Sequence, residues 1–159
     1  MRLRVLALTA AAVAVLALAL VGVVGAGAKG SSDSAALFAV LSGKKEVSPE
    51  GDKGVGDPDG RGSFSATFDG NELCYGLTVK NIASPVAAHI HRGSPRVAGP
   101  VVLPLMQPAT GDPGASSECV DVPSSLAQAI RKNPAKFYVN VHTGDFPGGA
   151  VRGQLFGKR

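Results

Sequence analysis

The sequence predicts a mainly β domain, an antiparallel Greek-key sandwich or barrel with one short helix. Three observations carry this. Apolar and polar residues alternate in several short runs, as with Phe64, Ala66 and Phe68 against Ser63, Ser65 and Thr67, which is the period of a half-buried strand. Turn residues separate the runs, with 21 Gly and 11 Pro in 159 residues, and such punctuation marks hairpins and loops. Only one polar segment, around Leu126 and Ile130, has helical spacing, so the domain is built from strands.

The amino terminus reads as a targeting segment. Arg2 and Arg4 precede an uncharged, mostly apolar stretch from Val5 to Ala28 that closes with Ala26-Gly27-Ala28 before Lys29. This is the layout of a signal peptide over residues 1–28, cleaved after Ala28. The alternative is an uncleaved anchor, the only link to a membrane that the sequence offers. Against it, the run thins into Gly and Ala and no basic cluster flanks its far side. No cysteine lies near the boundary, which argues against a lipid-anchored form. Residues 29–36 form a linker and 37–159 one domain, with secretion as the expected destination.

The first strand is expected at Leu37-Phe38-Ala39-Val40-Leu41, followed by a long surface loop from Lys44 to Gly62. Within it Gly56-Asp57-Pro58-Asp59-Gly60 resembles part of a calcium loop but lacks the further carboxylates and the terminal Glu. Turn chemistry accounts for it better. The alternation of Phe64, Ala66 and Phe68 resumes after Asp69-Gly70-Asn71 as Leu73, Tyr75, Leu77 and Val79, a hairpin signal. Residues Val86 to Arg92 supply a further strand, and Gly99 to Leu105 another whose prolines place it at an edge.

Gln107 to Ser117 reads as loop before Cys119-Val120-Asp121-Val122. The short helix then opens on Pro123-Ser124-Ser125, where Ser125 and Gln128 form a capping box, and ends at Asn133-Pro134. A last hairpin pairs Lys136–Thr143 with Ala150–Phe156. In its first strand Phe137, Val139 and Val141 share one face and Tyr138, Asn140 and His142 the other.

Cys74 and Cys119 are the only cysteines. In an exported chain an even count points to one disulfide, here tying the loop before the helix to the hairpin strand. Closing a loop of that length stabilises a fold by roughly 3–4 kcal/mol. Two separate thiols, one a nucleophile, are the alternative, but no Cys–His signature accompanies them. Charge excludes a function class. Of the 16 Lys and Arg residues two lie in the targeting segment and of the 12 acids none, leaving a formal +2, too weak for nucleic acid.

All three histidines fall in two strand segments, His89-Ile90-His91 and the run through His142-Thr143-Gly144. Strand alternation puts His89 and His91 on one face, away from Ala88 and Ile90. Neutral imidazoles so placed suit zinc or copper, with His142 as a third ligand. The alternative is the polar side of an amphipathic strand, with the histidines in a hydrogen-bond network.

Several spaced motifs, taken together, resemble the chordin-type domain, CHRD. They are Leu41-Ser42-Gly43 with Glu46-Val47, the Gly-Asp-Pro-Asp-Gly loop, Ala88-His89-Ile90-His91-Arg92-Gly93, and Tyr138 to Thr143 through Pro147-Gly148 to Val151-Arg152-Gly153-Gln154-Leu155. The match runs from about Phe38 to Leu155. The resemblance implies an extracellular immunoglobulin-like or barrel-like β domain, repeated in animal chordins that bind growth factors and single in secreted bacterial proteins, with no catalytic residues. Lys44-Lys45 departs from it, standing where many such domains carry small or amide residues. A weaker similarity is to copper/zinc superoxide dismutase, whose Greek-key barrel carries a His-x-His strand. Between Arg92 and Tyr138 this chain has no further histidine, so a bridged two-metal centre is excluded and a mononuclear copper or zinc site is the form left.

Two functions follow. One is a binding module with Arg92 and Arg152 beside the histidines, taking an extracellular protein, glycan or anion, since a guanidinium suits carboxylate or sulfate. A structural arginine tying loop carbonyls together is the alternative for Arg152. The other is the copper or zinc site on His89, His91 and His142. Nothing in the sequence marks a nucleophile–base or acid pair, so an enzyme is not the expectation.

Overall fold

The computed structural model describes residues 36–158; the expected signal peptide and nearly all of the linker lie outside them. Among the described residues nine strands and one α-helix follow in order: β1 (Ala36–Ser42), β2 (Arg61–Asp69), β3 (Glu72–Lys80), β4 (Pro85–Arg92), β5 (Val101–Leu105), β6 (Gly114–Asp121), α1 (Ser124–Lys132), β7 (Phe137–Thr143), β8 (Val151–Gln154) and β9 (Phe156–Lys158). None of the described helices is long and apolar enough to cross a membrane. Every pairing in the sheet is antiparallel, and the order is β5-β4-β7-β8-β1-β2-β3-β6, with β9 also paired to β1. β1, β2 and β3 are neighbours in sequence, whereas β3 to β4 and β6 to β7 cross over, as Greek-key connections do. The expected mainly β fold with one short helix is the fold observed.

The sheet curls into a nearly closed barrel. Where β5 and β6 end it, side chains bridge the gap: Met106 N–H donates to the Tyr75 hydroxyl at 2.7 Å, and the Ser116 hydroxyl donates to the Met106 carbonyl at 2.7 Å. Tyr75 in turn donates to Glu118 at 3.1 Å. Burial, with the Glu118 carboxylate adding to it, pushes the Tyr75 phenol up to about 12.

Alternation fills the interior. Leu37, Ala39 and Leu41 from β1, Phe64, Ala66 and Phe68 from β2, and Leu73, Leu77, Ile90, Val139 and Val141 from their strands all join one buried cluster. Each such large side chain contributes about 1.5–3 kcal/mol by leaving water. Leu126, Ala127 and Ile130 add one face of α1 to the same core. The β2–β3 hairpin keeps register from Arg61↔Lys80 to Asp69↔Glu72 and turns at Gly70, whose φ of 54° favours glycine. β5 lies at the end of the sheet, as expected from Pro104 within it and Pro100 just before it. The Asp57 carboxylate accepts from the N–H groups of Asp59 and Gly60, so this loop is a turn braced by its own side chain.

Three expectations are corrected. Residues 114–117 are strand, not loop: β6 runs Gly114–Asp121, and its Ser- and Glu-rich sequence hid it because an edge strand buries little. Cys119 therefore joins Cys74 across two adjacent strands, directly opposite in register, instead of tying a loop to a hairpin. The capping box does not form; α1 starts two residues earlier than that box implies, with Pro123 at the N-cap and no side-chain cap. The Pro123 carbonyl serves the first turn instead, accepting from Leu126 and Ala127.

Candidate metal centre

The outer face of β4, β7 and β8 carries a second, polar layer. Because β4 sends Ala88 and Ile90 inward, His89 and His91 point outward, and the same parity in β7 turns out Tyr138, Asn140 and His142. Register sets His91 opposite Tyr138, His89 opposite Asn140, and Asn140 opposite Arg152. Loops between β1 and β2, β4 and β5, and β7 and β8 cover this face through Glu46, Gly99 and Pro147.

The three histidines converge. One ring nitrogen from each of His89, His91 and His142 lies within 4.8 Å of the others. Two are oriented by backbone carbonyls: His91 Nδ1 donates to Gly99 O at 2.9 Å and His142 Nδ1 to Pro147 O at 3.0 Å. A carbonyl only accepts, so both rings carry the proton on Nδ1 and leave Nε2 bare. His142 Nε2 accepts from His89 Nδ1 at 3.2 Å. His91 Nε2 has no partner, although His91 is only 8% exposed. Burial holds all three pKa values below the usual histidine range, and neighbouring imidazoles lower His89 and His91 further. The rings are therefore neutral at neutral pH, the form that ligates metals.

Arg152 is not the surface receptor expected for an anion. At 1% exposure its guanidinium lies over the Tyr138 ring, 3.5 Å from the centroid, and donates to Ser94 O and Val97 O. It braces the β4–β5 loop, the structural alternative. Glu46, 2% exposed, sits 3.8 Å from Arg152 Nη1. Burial raises the Glu46 carboxyl above the usual range, while the Val47 N–H and Arg152 pull it back. A 3-10 turn at Gly43–Lys45 swings Glu46 inward, and Gly43 has no room for a Cβ against the Asp57 backbone. Arg92 also departs from expectation. It has the parity of Ile90, not of His91, and its guanidinium lies over Phe137.

Among the described residues, all the buried side-chain nitrogen and oxygen atoms without a hydrogen-bond partner fall in this layer: Glu46 Oε2, His91 Nε2, Asn140 Oδ1 and Arg152 Nη1. A cleft of about 420 Å³ opens beside them, lined by Glu46, His91, Tyr138 and Asn140. Sequence reasoning did not single out Tyr138, Asn140 or Glu46 for this site. The first two share the parity of His142 and were legible that way; Glu46 comes from a loop and gave no such signal.

A Greek-key β-barrel carrying a loop-covered polar site on its outer face is the class of protein this geometry defines. The model of the CHRD-domain family matches residues 37–155, and the chain belongs to that family. No curated protein and no solved structure matches the chain. Membership makes this a structural or binding module, and both it and the disulfide are compatible with an extracellular protein.

Proposed function

We propose that this CHRD domain is a secreted metal-binding module that holds one copper or zinc ion on His89, His91 and His142. The observation that carries the reading is the unpartnered Nε2 of the buried His91, beside two imidazoles whose orientation is also set. Leaving a buried acceptor unpaired costs about 1–3 kcal/mol, and a metal ion relieves it. Ligands 2.0–2.1 Å from a tetrahedral ion stand about 3.3 Å apart, close to the 3.2 Å between His89 Nδ1 and His142 Nε2.

The donor set fits these ions. Imidazole without thiolate or carboxylate suits zinc and copper and not magnesium or calcium. His91 and His142 already make the carbonyl hydrogen bonds through which metal-bound histidines are usually oriented. Ligation by His89 Nδ1 requires its proton to move to Nε2, which breaks the bond to His142. Secretion is supported by the charged and apolar pattern of residues 1–28 and by the disulfide.

Elemental analysis of the purified full chain, dialysed against copper or zinc, tests the reading. One equivalent is expected, with loss of binding in His91→Ala and His142→Ala. Wild type without stoichiometric metal, or variants that retain it, would overturn the site and leave a hydrogen-bonded histidine network.

A further inference from the structure

A second cleft, of about 510 Å³, lies over the outer side of β1; no histidine lines it, although Arg152 and Val47 reach it from the histidine layer. Lys44, Lys45, Lys53 and Arg96 line it, all are exposed, and no Asp or Glu is among its lining residues. Among the described residues none of the four makes an ion pair. The floor is apolar: Val40 is 58% and Phe156 52% exposed, with Phe38 packed beside Phe156 at 5.9 Å between ring centroids.

Like charges around one concavity repel each other, and their field concentrates inside it, attracting anions. A chain whose formal charge without residues 1–28 is only +2 has gathered four exposed cations here, with the buried Arg152 beside them. We propose that this groove binds an acidic polysaccharide. The chemistry matches on two counts. Sulfate or carboxylate groups along the chain meet the lysines and Arg96, and the C–H faces of the sugar rings lie on Phe156 and Val40. An acidic polypeptide satisfies the first count without the second. A lipid surface is flat, whereas this site is a groove. Its volume is within the range of small-ligand sites, about 300–1,000 Å³.

The test is a fluorescence anisotropy titration of labelled dextran sulfate with the purified full chain. Neutral dextran, polyglutamate and phosphatidylglycerol vesicles are the comparison probes. Dextran sulfate is expected to bind, more weakly as salt rises, and neutral dextran not to bind. Lys44→Glu with Lys53→Glu should weaken binding about tenfold, as reversal of two exposed charges allows. Phe156→Ala should weaken it several-fold. Arg96→Glu, on a different loop, checks the same groove if the double variant melts abnormally. No binding to dextran sulfate at low salt overturns the proposal, as does unchanged binding by all the variants. Equal affinity for polyglutamate with no effect of Phe156→Ala reduces the groove to a bare charge patch, and tighter binding to vesicles assigns it to membranes; either result also overturns it.

Discussion

His89 Nδ1 and His142 Nε2 lie 3.2 Å apart although 53 residues separate them in the chain. The β4–β7 register makes this contact: Ala87 faces His142 and His89 faces Asn140, so the two histidines are diagonal neighbours on one face. Diagonal pairs in an antiparallel sheet are within reach of long or aromatic side chains.

The carbonyl contacts of Gly99 and Pro147 set the tautomers. In metal-free protein, nitrogen-15 NMR should find His91, His142 and His89 all protonated on Nδ1. Adding zinc should move only the His89 proton, to Nε2. A metal-free His91 protonated on Nε2 would contradict the hydrogen-bond assignment.

Stability of the metal-free domain should fall on mild acidification. Folding lowers the pKa of His89, His91 and His142, so the unfolded chain takes up protons first as pH drops through about 6.5. Their contribution is complete above that pH and is lost as pH falls toward the folded values. Glu46, raised on folding, acts oppositely: its contribution is present at low pH and lost as pH rises through its folded value. Melting temperatures at about pH 7.5 and about pH 5.5 should show the decline, and His89→Gln with His142→Gln should flatten it. An equally steep profile in that double variant would place the titrating groups elsewhere.

Arg152→Met should destabilise the domain by about 3–5 kcal/mol, because it leaves Glu46 buried beside an uncharged neighbour. Adding Glu46→Gln should recover part of this. Urea unfolding of both single variants and the double gives the coupling, and strict additivity would show that the pair does not interact.

Reducing the Cys74–Cys119 bond should lower stability by about 4 kcal/mol, given the loop it closes. For a domain of this size that lowers the melting temperature by roughly 10 °C or more. An unchanged melt, or two freely titrating thiols in oxidised protein, would show the bond to be absent in solution.

Much of the fold was legible in the chain because its signals are local. The parity of Phe64, Phe68, Leu73 and Leu77 marked the central hairpin, and Pro100 and Pro104, before and within β5, marked an edge. β6 was not legible, since an edge strand with Ser and Glu outward has little apolar alternation to read. The capping box failed for a related reason: side chains at the right spacing do not oblige a helix to use them when a carbonyl already serves its first turn.

The sequence by itself determined which side chains share a strand face, and so that His89 pairs with His91 and that Tyr138, Asn140 and His142 travel together. Only the tertiary structure decided that these two faces meet, that Arg92 turns away, and that Arg152 is buried against Tyr138 beside Glu46. Parity is a property of one strand and is written in neighbouring residues. Register between strands forty or more positions apart, and the loops that close over them, depends on how the whole core packs.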